Sequence, residues 1–68
     1  MNIALLKRDG KRTTYIIDFD DGSYGRIRLR AGVPVYGTIT DRKGEHTREL
    51  TVQELATIGN NIRRRNER

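Results

Sequence analysis

The stretch that decides the fold is Tyr24-Gly25-Arg26-Ile27-Arg28-Leu29-Arg30. It alternates with period two, so an extended chain puts Tyr24, Arg26, Arg28 and Arg30 on one side and Ile27 and Leu29 on the other. Neighbouring guanidiniums repel one another, and a small fold gains no stability by lining them up. The row reads as a surface made to meet anions, and its aliphatic side as the wall of a core.

Glycines set the rhythm on either side of this stretch. Asp9-Gly10, Asp21-Gly22, Ala31-Gly32 and Lys43-Gly44 each fall between segments of strand character. Glycine supplies the positive φ that tight hairpin turns need, so turns at this spacing predict a meander of short antiparallel strands. The strands fall at about Asn2–Arg8, Arg12–Phe19, Ser23–Arg30, Pro34–Asp41 and a short Glu45–Glu49. In the fourth, Val33, Val35, Gly37 and Ile39 alternate with Pro34, Tyr36, Thr38, Thr40 and Arg42. Pro34 has no N–H to give a ladder and belongs at a strand start or edge.

Thr51-Val52-Gln53-Glu54 has the form of a capping box, with Leu50 before it as a hydrophobic staple. Val52, Leu55, Ile58 and Ile62 then recur at helical spacing. A helix from Val52 to about Arg64 follows, with Gly59 allowing close approach to the sheet at a propensity cost of about 1 kcal/mol. Asn60-Asn61 weakens that helix, and nothing apolar beyond Ile62 holds the end, which leaves a basic tail over 65–68 free to move.

The expected class is α+β: an antiparallel β-meander of four to five short strands packed on one C-terminal helix, as one domain over 1–68 with its strands in about 2–49. One helix covers one face of such a sheet. The core is then Ile3, Leu5, Ile17, Phe19, Ile27, Leu29, Val35 and Ile39, closed by Leu55, Ile58 and Ile62. This layout resembles the small basic chromatin proteins of archaea, which are SH3-like barrels, and more loosely the three-stranded arm-binding domains of phage-type integrases. The likeness is one of architecture and carries over no site residue. It implies that the sheet either stays open or closes partly into an SH3-like barrel.

Composition narrows the function. Of 68 residues, 34% are apolar and 34% charged, and there is no cysteine. Neither a disulfide framework nor a thiolate zinc site is available, and the composition fits a reducing cytoplasm. The apolar run in Met1–Arg8 is too short and wrongly flanked for a signal peptide, and no segment is long enough to cross a bilayer. Fourteen Lys and Arg against nine Asp and Glu give a net charge of +5, eleven of those cations being arginine. Arginine's planar fork suits bidentate contact with phosphate or carboxylate.

The chain shows no phosphate loop and no nucleophile–base–orienter set, which points away from an enzyme. His46 stands alone, and Asp18-Phe19-Asp20-Asp21-Gly22 lacks the downstream glutamate of a calcium loop, so no metal or cofactor is expected. The expected site is nucleic-acid-binding. It comprises Tyr24, Arg26, Arg28 and Arg30 with Tyr36 and Arg42 on the open sheet face, helped by Arg63, Arg64 and Arg65. Tyr15 shares a face with Ile17 and belongs to the core. Lys7-Arg8 and Lys11-Arg12 make the first hairpin tip basic.

Two alternatives stay open. In one, the arginine row is a solvated face paired with Asp18 and Asp20 on the neighbouring strand. The same arginines also suit a protein-interaction module, such as a small phage- or plasmid-encoded inhibitor docking on an acidic or nucleic-acid-handling host protein. An exposed fifth strand would allow a homodimer by edge pairing.

Overall fold

A computed structural model describes residues 1–66, with the side chain of Asn66 left aside. Its elements are β1 (Asn2–Asp9), β2 (Arg12–Asp18), β3 (Tyr24–Arg30), β4 (Val33–Thr40), β5 (Thr47–Glu49) and α1 (Val52–Asn66). The strands form one antiparallel sheet in the order β1-β2-β3-β4-β5. Every neighbour in space is a neighbour in sequence, as the glycine turns require. The sheet stays open, with β1 and β5 as its two edges, so the partly closed barrel does not occur.

The two-residue turn at Ala31-Gly32 shows why the connections are so short. Both residues take positive φ, +51° and +81°, the combination that matches the twist of the strands it joins. The Ala31 N–H also donates to the Lys11 carbonyl at 2.8 Å, tying this turn to the β1–β2 tip.

The helix begins where the capping box placed it. The Thr51 hydroxyl accepts from the Glu54 N–H at 3.1 Å, and the Thr51 N–H donates to the Glu54 carboxylate at 2.9 Å. Two N–H groups that a helix start leaves unpaired are thereby satisfied. Arg48, on β5, adds two hydrogen bonds to the same carboxylate at 2.8 and 3.0 Å. The Arg48 guanidinium, and after it the Thr51 N–H, pull the Glu54 carboxyl down to about 2. At the other end α1 outlasts the expected stop and runs to Asn66. Arg65 is therefore part of the helix, and its guanidinium donates to the Ile3 carbonyl. Of the expected free tail, Glu67 and Arg68 lie outside the described residues.

The core is Ile3, Ile17, Ile27, Leu29, Leu50, Ile58 and Ile62, with Tyr15, Phe19, Ile39 and Leu55 packed against it. Leu50 belongs to the core as well as to the helix start: its side chain lies over Gly37, where a Cβ would stand 2.5 Å from Leu50 Cδ1. Gly59 likewise lets α1 settle on β4, since a Cβ there would run into the ring of Pro34.

Two expected core residues are not buried. Leu5 and Val35 are each 53% exposed. Leu5 keeps the helix side, opposite Tyr15, but lies on the edge strand β1; Val35 is displaced by an irregularity in the ladder. Pairing passes from Leu29↔Pro34 to Arg28↔Tyr36, leaving Val35 as an extra residue. Such a bulge reverses the alternation beyond it. Pro34 therefore turns to the helix side, and Val33 comes to stand opposite Arg30 on the open side. A second shift between Leu5 and Lys7 skips Leu6 in the same way.

Candidate nucleic-acid interface

In β3, Tyr24, Arg26, Arg28 and Arg30 are exposed while Gly25, Ile27 and Leu29 are buried, with no exception along the strand. Ile27 is fully buried and Leu29 4% exposed. Burial of these two aliphatics fixes the orientation of the guanidiniums, because a one-residue slip would exchange the faces. The strand is also the middle one of five, so the row runs down the centre of the open face.

Register supplies the neighbours. On β4, Thr38 stands opposite Arg26 and Tyr36 opposite Arg28. On β2, Ile16, Thr14 and Arg12 stand opposite Arg26, Arg28 and Arg30. On β1, Lys7 is opposite Thr14. Lys7, Asp9, Arg12, Thr14 and Arg28 together line a shallow depression of about 160 Å³. The open face thus carries Lys7 and Arg12 besides the three expected arginines.

Of the two additions, parity in the sequence signals Arg12 alone. Arg12 has the same parity as Ile16 and Asp18, opposite to Tyr15 and Ile17, so alternation alone places it on the open face. Lys7 would point into the core under strict alternation from Ile3 and Leu5; the shift at Leu6 turns it outward and sends Arg8 to the helix side. The basic hairpin tip is therefore shared between the two faces.

Among the described residues, the expected pairing of this row with Asp18 and Asp20 does not occur. Asp18 stands opposite Tyr24, not an arginine. Asp20 takes the Met1 amino group at 2.7 Å. Among the described residues, the ion pairs are that contact and Arg48–Glu54, and neither lies in the row. Among the described residues no ion pair holds Arg26, Arg28 or Arg30, although Asp9 lines the depression beside Arg28.

The remaining expected site residues separate. Tyr36 is 47% exposed and stands beside Arg28. Tyr24 is 44% exposed, but its hydroxyl leans toward Gly44 in the β4–β5 turn, so it shields that end of the sheet. Arg42 lies past the end of β4, beside Gly22 of the β2–β3 turn. There it faces Asp21, whose carboxyl is held below the usual range by the Ser23 hydroxyl first and, in smaller part, by Arg42. Arg63, Arg64 and Arg65 belong to the last turn of α1, on the covered side of the sheet. They do not join the arginine row.

No family model, no curated protein and no solved structure matches the chain. Among the described residues, no helix is long and apolar enough to cross a membrane.

Proposed function

We propose that the protein is a small, non-enzymatic nucleic-acid-binding module. It would grip the phosphate backbone through Arg26, Arg28 and Arg30, with Lys7 and Arg12 extending the contact. The observation that carries this reading is a row of three guanidiniums, in no ion pair among the described residues, down the middle of an open sheet face. Charge held in this way without a carboxylate partner costs the fold repulsion and returns nothing until an anion arrives. Phosphate is the anion that matches a line of guanidinium forks most closely. Tyr36, beside Arg28, offers a ring on which an unpaired base can stack. The edges of the face carry hydroxyls and few base-reading amides, so contact would position the backbone more than read sequence. A cytoplasmic setting suits a module of this kind without cysteine.

Titration of labelled duplex and single-stranded DNA and RNA at a series of salt concentrations tests the reading. With about three to five phosphates neutralised, the logarithm of the affinity should fall with the logarithm of salt at a slope of about −2.7 to −4.5 on duplex. Changing Arg26, Arg28 and Arg30 together to Ala should flatten that slope by about 2 to 3. Neutralising Arg63, Arg64 and Arg65 should change it far less. Absence of binding even in low salt would end the proposal.

A further inference from the structure

The opposite side of the sheet holds a second group of cations around a different kind of surface. A cleft of about 420 Å³ opens between the C-terminal half of α1 and the β1–β2 hairpin. A neighbouring cleft of about 280 Å³ shares Arg8, Tyr15 and Ile62 with it, so the two form one groove. Its floor is largely apolar, built from Ile3, Leu5, Leu29 and Ile62 with the Tyr15 ring, and Thr13 adds a hydroxyl. Its rim carries Arg8, Lys11, Arg63 and Arg65, and no carboxylate lines it among the described residues. Arg65 is tied to the Ile3 carbonyl, while Arg8, Lys11 and Arg63 hold no described carboxylate. Leu5, 53% exposed, stays half in water on this floor.

From this we infer that the groove is a docking site for an acidic protein segment that inserts a leucine- or phenylalanine-type side chain. The charge on the rim selects a negatively charged partner, and the floor selects an apolar one. A nucleobase would find only the Tyr15 phenol and the Thr13 hydroxyl as polar partners on the floor, and would set most of its ring-edge donors and acceptors against Ile3, Leu5, Leu29 and Ile62. A branched aliphatic or phenyl side chain there only sheds water. The carboxylates beside it would then meet the rim guanidiniums in charge-assisted hydrogen bonds. Such an anchor-and-rim arrangement concentrates affinity in one buried side chain and leaves specificity to the charges around it. The inference is independent of the nucleic-acid reading, which concerns the other face.

The test is fluorescence anisotropy of the full chain with a short labelled peptide of alternating glutamate and leucine, set against the same peptide with serine in place of leucine. The glutamate–leucine peptide should bind, and the glutamate–serine peptide should bind about tenfold more weakly. Arg8→Glu with Arg63→Glu should weaken the first peptide by about tenfold or more, whereas Arg26→Ala, Arg28→Ala and Arg30→Ala together should leave its affinity within about twofold. Lys11→Glu, in an exposed turn, provides an independent variant should the double change disturb the helix end; circular dichroism reports folding for each. Equal binding of both peptides would reduce the groove to bulk charge and overturn the inference. So would a loss of peptide binding that follows the arginine row instead of the groove. Displacement of the peptide by a single-stranded oligonucleotide, in the variant lacking Arg26, Arg28 and Arg30, would assign the groove to nucleic acid and likewise overturn it.

Discussion

The two faces of β3 are built from alternate residues of seven, yet they answer to different constraints. Toward α1 the strand presents Gly25, Ile27 and Leu29, all buried. Toward solvent it presents Tyr24, Arg26, Arg28 and Arg30, all exposed. The first face stabilises the fold by removing apolar surface from water; the second contributes no such burial and adds like-charge repulsion. A strand of this kind shows that stability and binding can be separated by parity alone, without assigning them to different segments.

The most forceful way to break the comparison is to truncate one residue from each face. Ile27→Ala removes a fully buried side chain from beneath the helix and should cost about 3 kcal/mol, most of the stability a chain of this size can have. Arg28→Ala, one residue on, should change stability by no more than about 0.5 kcal/mol while weakening polyanion binding. Thermal melts followed by circular dichroism distinguish the two. A large loss of stability in Arg28→Ala would mean that the arginine row is structural.

The covered face has its own weak points where backbone and side chain meet closely. Gly37→Ala would drive a methyl to 2.5 Å from Leu50 Cδ1 and 2.9 Å from the Arg26 carbonyl. Overpacking of this kind should cost about 1–3 kcal/mol. Gly59→Ala sets two effects against each other. Helix propensity gains about 1 kcal/mol, but the new methyl overlaps the Pro34 ring. Because the ring sits on a paired strand and cannot swing aside as a long side chain can, the clash should win and the melting temperature should fall. A rise would show that α1 can lift from β4 at little cost.

Most of this frame was legible in the sequence, for reasons that also mark where legibility ended. Hairpin turns and the capping box are local: Asp21-Gly22, Ala31-Gly32 and Thr51-Val52-Gln53-Glu54 act through dihedrals and hydrogen bonds within a few residues. Parity put Ile27 inside and Arg28 outside because one side of β3 had to be dry. Val35 and Pro34 were misplaced because a bulge at Val35 resets the alternation, and a bulge is decided by how two strands fit, which neither strand shows alone. Leu5 sits on the expected face, half exposed because it lies on an edge strand. Leu50 was read as a staple since its contact with Gly37 is equally non-local. At the site, the shift at Leu6 sends Lys7 to the open face and Arg8 to the helix side, a division of the basic hairpin tip that neither strand shows alone. Arg63, Arg64 and Arg65 were grouped with the sheet arginines by charge, and the packing of α1 puts them on the covered side instead.

A charge that is paired gives a sharper contrast with the row than any apolar residue. Glu54 accepts from Arg48 and from the Thr51 N–H, and its carboxyl titrates at about 2 in the fold. In the unfolded chain a glutamate titrates at about 4.3. Since the folded form is the stronger acid, its contribution is complete above about pH 4.3 and is lost as the pH falls toward 2. Melting temperature should therefore drop across that window in the native protein, and drop less in Glu54→Gln. Thr51→Ala removes the reciprocal half of the box and should cost about 1 kcal/mol at neutral pH. Removal of Arg26, Arg28 and Arg30 should produce no comparable loss at any pH. A paired charge is thus distinguished from an offered one by its effect on the fold.

The smallest expected effect lies at Ala31, in the turn that follows the arginine row. An L-residue at φ +51° carries a strain of about 1–2 kcal/mol, which glycine does not feel. Glycine adds freedom to the unfolded chain worth about 0.5–1 kcal/mol, so Ala31→Gly should raise stability by only about 0.5 kcal/mol. The hydrogen bond from residue 31 to the Lys11 carbonyl uses the backbone and survives the change. No cation is altered, and if the paired strands alone hold Arg26, Arg28 and Arg30 in line, the salt slope of nucleic-acid binding should be unchanged. A slope that flattens in Ala31→Gly would show instead that the stiffness of this turn holds Arg30 in the row, and would move part of the binding face from the sheet to its connections.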